Sequence, residues 1–178
     1  MQDKAKIQDA AIAISFALLI YGSLPFAPGF WAKIAKITGV FSGYIAASIL
    51  LLAVIAIALY LGIKKRGLVH FIWLAVLSVF YAAGLISLKL PIERIHFVEY
   101  GLLAFLVFRA LRHYSGGKAL YLYSGIAVFG VGFIDEAIQY ILPNRVFDAR
   151  DVIVNSAAGV LALLLIRLCF QPLPKSAE

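Results

Sequence analysis

Residues 40–63 run for 24 positions without a charged side chain. As a helix rising 1.5 Å per residue, the run is about 36 Å long, enough to cross a hydrocarbon layer of about 30 Å with some tilt. A helix apolar on every side needs either complete wrapping by neighbours or lipid around it. The pattern recurs: residues 10–24, 67–88, 96–111, 119–142 and 151–170 are further apolar runs separated by short polar turns. Composition agrees, since 63% hydrophobic and 14% charged residues depart from the soluble balance of roughly 45–50% apolar and about 25% charged. The expected fold class is therefore all-α, a polytopic transmembrane helical bundle of six spans.

The segments between the runs carry nearly all the charge. Residues 1–9 are polar, and the first apolar run stops at Pro25, Pro28 and Gly29. A basic start before a short apolar stretch also fits a cleaved signal peptide, although no small-x-small site follows. Residues 30–38 place Trp31, Ile34 and Ile37 on one helical side and Lys33 and Lys36 on another, which suits a short helix in the headgroup region or a solvated loop. Lys64-Lys65-Arg66 forms a basic turn, and His70 reads as an interfacial side chain. Arg109, Arg112, His113 and Lys118, with Gly116-Gly117, read as a loop whose glycines end a helix and whose charges stay in water. Pro91 and Pro143 punctuate two other connections, and the tail from Gln171 is expected to be disordered.

A net charge of +7 would suggest nucleic acid in a soluble domain. Here the basic residues form short clusters between apolar runs, with no basic stripe interleaved with aromatics, so nucleic acid is excluded as a partner. Cys169 is the only cysteine and has no intrachain partner. Six spans place both termini on one side. The termini and even-numbered loops hold ten Lys and Arg (Lys4, Lys6, Lys64, Lys65, Arg66, Arg109, Arg112, Lys118, Arg167, Lys175), and the odd-numbered loops six (Lys33, Lys36, Lys89, Arg94, Arg145, Arg150). By the positive-inside rule both termini are cytoplasmic. The acids divide the other way, with Glu93, Glu99, Asp135, Glu136, Asp148 and Asp151 outside.

Ionisable groups at a membrane boundary are costly, so their default reading is a functional site. Two stretches qualify, 93–100 and 133–155. His96 and Glu99 are spaced i,i+3 at the start of the fourth span, while Asp135 and Gln139 are spaced i,i+4 at the end of the fifth. Asp151 and Asn155 repeat the i,i+4 spacing at the start of the sixth. These spacings put each pair on one helix side, so three helix ends can direct polar groups into one cavity at the outer face. Arg145 and Arg150 offer forked donors for phosphate oxygens, and His96 titrates nearest neutral pH. Asp135 and Glu136 can orient the imidazole or hold a divalent cation, although the spacing matches no standard ligand motif. The competing reading is that these groups join helices by hydrogen bonds, or form a solvated network of Arg145 and Arg150 with Asp148 and Asp151. Glu93, Asp148 and Lys89 fit that reading most easily.

The string Asp135-Glu136-x-x-Gln139, then Pro143, Arg145, Asp148, Asp151 and Asn155, preceded by His96-Phe97-x-x-Tyr100, resembles the VanZ-like family of bacterial membrane proteins. Where that family has a lysine three residues before the histidine, this chain has Glu93; the family's glycine after the asparagine corresponds to Gly159 or is replaced by Ala158. The resemblance implies a four-span core over residues 67–170 in a bacterial cytoplasmic membrane, a two-span extension over 1–66 and a tail over 171–178. The family's founding member is associated with teicoplanin resistance. The functional expectation is a site at the outer face that binds or acts on a phosphate-containing envelope lipid or lipid-linked cell-wall precursor, as a phosphate-ester hydrolase or transferase. In it His96, Glu99, Asp135 and Glu136 do the chemistry, while Tyr100, Gln139, Arg145, Arg150, Asp151 and Asn155 bind substrate. The alternative is a non-catalytic protein that binds lipid or antibiotic, its polar cluster structural.

Overall fold

The computed structural model describes residues 2–38, 41–88, 91–143 and 145–171. Among the described residues the chain forms seven α-helices and no strand: α1 Gln2–Ser23, α2 Ala27–Thr38, α3 Phe41–Ile63, α4 Leu68–Ser87, α5 Pro91–Leu111, α6 Gly117–Ile141 and α7 Ala149–Leu165, whose last turn widens into a π-helix over Ile166–Phe170. Among the described residues four segments are long and apolar enough to cross a membrane: Asp3–Ser23, Leu68–Ser87, Gly117–Ile141 and Ala149–Phe170. The sequence expects six. Where described, α3 is apolar over the shorter stretch Ser48–Ile63, and α5 carries Glu93, Arg94, Glu99 and Arg109 within its 21 residues.

The helix α5 carries polar groups because it is the bundle's central helix. It packs against α1, α2, α6 and α7, and its Phe97, Tyr100, Leu103, Ala104 and Phe108 form the main core with Ile20, Leu120, Val128, Ala158 and Leu163. A smaller core joins α3, α4 and the π-turn through Leu61, Leu74, Leu77 and Cys169. In lipid such helices associate by close packing rather than by escape from water. At the α5–α6–α7 crossing a β-carbon on Gly159 would stand 2.8 Å from a Val128 methyl and 3.8 Å from the Ala104 β-carbon. Only hydrogen fits there.

Local chemistry moves several boundaries. The polar residues 2–9 form the first turns of α1, and Asp9 is buried at 5% exposure against Arg109, Arg112 at 3.5 Å and His113 at 2.9 Å. Three charges expected to stay in water thus fasten α1 to the end of α5. Pro91 opens α5 earlier than expected, as suits a residue whose missing N–H is not needed in a first turn, so His96 lies in the second turn. The glycine pair does not end α5; Gly116 caps α6 and Gly117 takes φ +56°, a left-handed conformation that costs glycine little. The connection at 64–66 is a Schellman turn: Arg66 N–H donates to Leu61 O at 3.0 Å, Lys65 N–H to Gly62 O at 2.9 Å, and Lys65 has φ +50°.

Two basic residues close helix ends. Arg94 Nε donates to Leu85 O at 3.2 Å and Leu88 O at 3.0 Å, and Arg66 Nη2 donates to Phe170 O at 2.9 Å. His70, in the first turn of α4, is buried at 7% exposure, with Cys169 Sγ donating to its carbonyl at 3.7 Å. The helix expected at 30–38 forms from Ala27; its Lys33, Lys36 and Ile37 are exposed, and the Trp31 and Ile34 side chains lie outside the described residues. Lys89, Asn144 and the tail 172–178 also lie outside them.

Gly159→Val is expected to cost about 1–3 kcal/mol through overpacking, read as a lowered thermal midpoint in detergent. Gly130→Val, whose added β-carbon meets nothing within 4 Å, should change stability by less than about 0.5 kcal/mol.

Candidate functional site

Stretches 93–100 and 133–155 meet where α5 begins, α6 ends and α7 begins. Asp135, fully buried, is the junction. Tyr100 Oη donates to Asp135 Oδ2 at 3.0 Å, and His96 Nδ1 lies 3.8 Å from the same oxygen, close enough for an ion pair and too long for a direct hydrogen bond. The i,i+4 pair His96 and Tyr100 therefore faces α6. Gly132, one turn before Asp135, makes the approach possible: a β-carbon there would stand 3.3 Å from the Tyr100 ring and 3.7 Å from the Asn155 β-carbon. Side chains of α5 and α7 close over the bare backbone of α6.

Glu136, also fully buried, points elsewhere. Its Oε1 accepts from Gln139 Nε2 at 2.7 Å and its Oε2 from the backbone N–H of Asp148 at 3.0 Å. This carboxylate pins the connection leading into α7. Asp148 in turn caps α7, its Oδ1 accepting from Arg150 N–H at 2.8 Å, which satisfies an otherwise orphan helix-start donor. Asp151 sits half-buried in the first turn of α7, where the helix dipole favours a negative charge.

Between these groups lies a cavity of about 20 Å³ lined by Glu93, His96, Gln139, Arg145, Asp151, Val154 and Asn155. A water needs about 10–15 Å³, so one water-sized group fits. Three buried polar atoms of this region have no hydrogen-bond partner among the described residues: Asp135 Oδ1, Arg145 Nε and Asn155 Nδ2. In low-dielectric surroundings each unsatisfied group costs about 1–3 kcal/mol, and Arg145 and Asn155 both line the cavity. The cavity wall therefore carries an imidazole, a guanidinium and two side-chain amides.

The sequence-predicted residues divide into groups. His96, Gln139, Arg145, Asp151 and Asn155 line the cavity, and Tyr100 and Asp135 lie at the α5–α6 contact. Glu136 serves the α6–α7 connection. Arg150 is exposed and reaches Glu93 Oε1 at 3.4 Å, so its partner is on α5 rather than in the expected loop network. Glu99 is half-buried and outside the cavity wall. Glu93, set aside as a loop charge by sequence reasoning, is in the wall; its spacing three residues before His96 was the available signal. Among the described residues no group of three or more His, Cys, Asp or Glu side chains is placed to hold a metal ion. Asp135 and Glu136, adjacent in sequence, are engaged by different partners.

Residues 91–170 match the family model described as VanZ/LLP1, which spans α5, α6, α7 and the π-turn and leaves α4 outside. No curated protein and no solved structure matches the chain.

Tyr100→Phe removes the O–H donor of a buried carboxylate and is expected to cost about 1–3 kcal/mol. Thermal unfolding in detergent reads this. The control Tyr81→Phe, which loses only a 3.4 Å bond to Phe97 O, should cost less.

Proposed function

We propose, from the premise that residues 91–170 form a VanZ-like domain of a multi-pass membrane protein, that the cavity between α5, α6 and α7 takes a phosphoryl oxygen of an envelope lipid or lipid-linked cell-wall precursor. The observation that carries this reading is the pair of buried unpartnered donors, Arg145 Nε and Asn155 Nδ2, on side chains that line the cavity beside His96. An anionic oxygen would satisfy both donors, and a guanidinium is the side chain best matched to phosphate. The volume admits one oxygen-sized group, so the rest of the headgroup stays at the mouth, near exposed Arg150.

In this scheme the distribution of Lys and Arg orients the bundle with both termini in the cytoplasm and the cavity at the outer face. His96, backed by Asp135 at 3.8 Å, is placed to take or give a proton at the bound oxygen. Gln139 and Asn155 fix the headgroup, and Asp151 and Glu93 complete the wall. Glu136 holds the connection that presents Arg145. Binding a lipid-linked precursor would connect the site to the glycopeptide resistance associated with the family.

A second reading draws on the bonds of Tyr100 and Glu136, both of which join structural elements. In that reading the polar cluster is helix glue and there is no chemistry. The two separate on one experiment. His96→Ala, Asp135→Asn and Arg145→Ala are each purified and titrated with farnesyl phosphate in phosphate-free detergent, and cells carrying them are tested for teicoplanin susceptibility. The lipid reading expects Arg145→Ala to bind at least about tenfold more weakly, equivalent to about 1.4 kcal/mol, at normal folded yield. It expects His96→Ala to lose the cellular phenotype without losing yield. Unchanged binding and phenotype, or yield falling in step with phenotype in every variant, favours helix glue.

A further inference from the structure

At the opposite end of the bundle, α6 and α7 open an apolar groove of about 650 Å³. Its walls include Leu122, Phe129, Val160 and Leu164, and Gly125 lies in its floor, where an added β-carbon would meet nothing closer than a Leu163 methyl at 3.9 Å. Lys118 and Arg167 are both among its lining residues, one at the start of α6 and one at the start of the π-turn. Both side chains are exposed. Arg167 donates to the neutral Gln171 Oε1 at 3.1 Å, and among the described residues neither cation pairs with a carboxylate.

Depth and charge together define the occupant. From Lys118 to Phe129 on α6, and from Arg167 in the π-turn back to Ser156 on α7, the lining covers eleven residue-to-residue steps, or about 16 Å along a helix. That is about one leaflet, half of a hydrocarbon core of about 30 Å. The groove is thus one acyl chain deep, and at the end where that leaflet's phosphates would lie stand two exposed cations that, among the described residues, pair with no carboxylate. A second copy of this chain is disfavoured by the same charges. Two-fold pairing about the membrane normal would bring both Lys118–Arg167 pairs to one depth, where they repel.

We propose that this groove is a binding site for an anionic phospholipid, one acyl chain lying between α6 and α7 and its phosphate held by Lys118 and Arg167. The site is separate from the polar cavity and stands whether or not that cavity binds phosphate.

The test uses the full chain in a phosphate-free maltoside, titrated by native mass spectrometry with phosphatidylglycerol and with phosphatidylcholine of identical chains. The proposal expects phosphatidylglycerol to bind the wild type at least about tenfold more tightly, by about 1.4 kcal/mol. The double variant Lys118→Gln/Arg167→Gln should bring it down to the phosphatidylcholine level. Gly125→Phe, which fills the floor, should weaken both lipids. Equal affinity for the two lipids in the wild type overturns the proposal, as does an unaltered preference in the double variant. A wild-type dimer that Gly125→Phe dissociates overturns it in favour of a protein occupant. If Gly125→Phe does not fold, the charge variant decides, because its two side chains are exposed.

Discussion

A fully buried carboxylate in an apolar bundle has to be satisfied by protein, since lipid offers no donors. Asp135 is that carboxylate, and the hydroxyl of Tyr100 meets it from α5. The rest of the site follows from this contact. It brings the α5 and α6 backbones close enough that position 132 must be glycine-sized, and it sets His96 beside the carboxylate. It also stacks Asn155 of α7 over the same bare stretch of α6. Glu136 then secures the following connection by accepting the Asp148 N–H, which places Arg145 at the cavity wall.

The central helix α5 is polar at both ends and apolar between them. At one end His96 and Tyr100 face α6; at the other Arg109, with Arg112 and His113 beyond the helix, surrounds Asp9 of α1. Between them Phe97, Leu103, Ala104 and Phe108 pack in the main core. Polar pairing fixes how α5 sits against its neighbours, and the apolar middle adds packing without specifying position. The consequence reaches beyond the matched region: α1 lies outside residues 91–170 yet contributes Ile20 to the main core and Asp9 to the second polar junction.

Much of the site was legible because polar residues in such a sequence are few and costly. His96, Asp135, Gln139, Arg145 and Asn155 stood out for that reason, and helical spacing already grouped them by side. What spacing could not convey was direction across helices. Asp135 and Glu136 are adjacent, yet one faces α5, where it meets the Tyr100 hydroxyl, and the other holds the entry to α7, where it meets the Asp148 N–H. Glu99 shares its spacing with His96 but stays outside the cavity, because Tyr100 takes the position facing Asp135. Asp9 looked like a solvent charge since its three partners lie about a hundred residues away. The number of spans was the least legible feature of the fold. The sequence counts the α5 region as a span, while among the described residues length and composition alone leave it out; its charges meet partners on neighbouring elements, Arg94 the carbonyls of Leu85 and Leu88 and Arg109 the carboxylate of Asp9.

The central claim is that one phosphoryl oxygen of a lipid occupies the cavity against Arg145. Its most direct measurement is phosphorus-31 dephasing of guanidinium nitrogen-15 signals in the arginine-labelled protein, held in phosphate-free detergent with one equivalent of farnesyl phosphate. The Arg145 signal is assigned by its loss in Arg145→Lys. The account predicts that the Arg145 signal is dephased at contact distance while that of Arg109, at the other end of α5, is not. An undephased Arg145 signal with the lipid bound contradicts it.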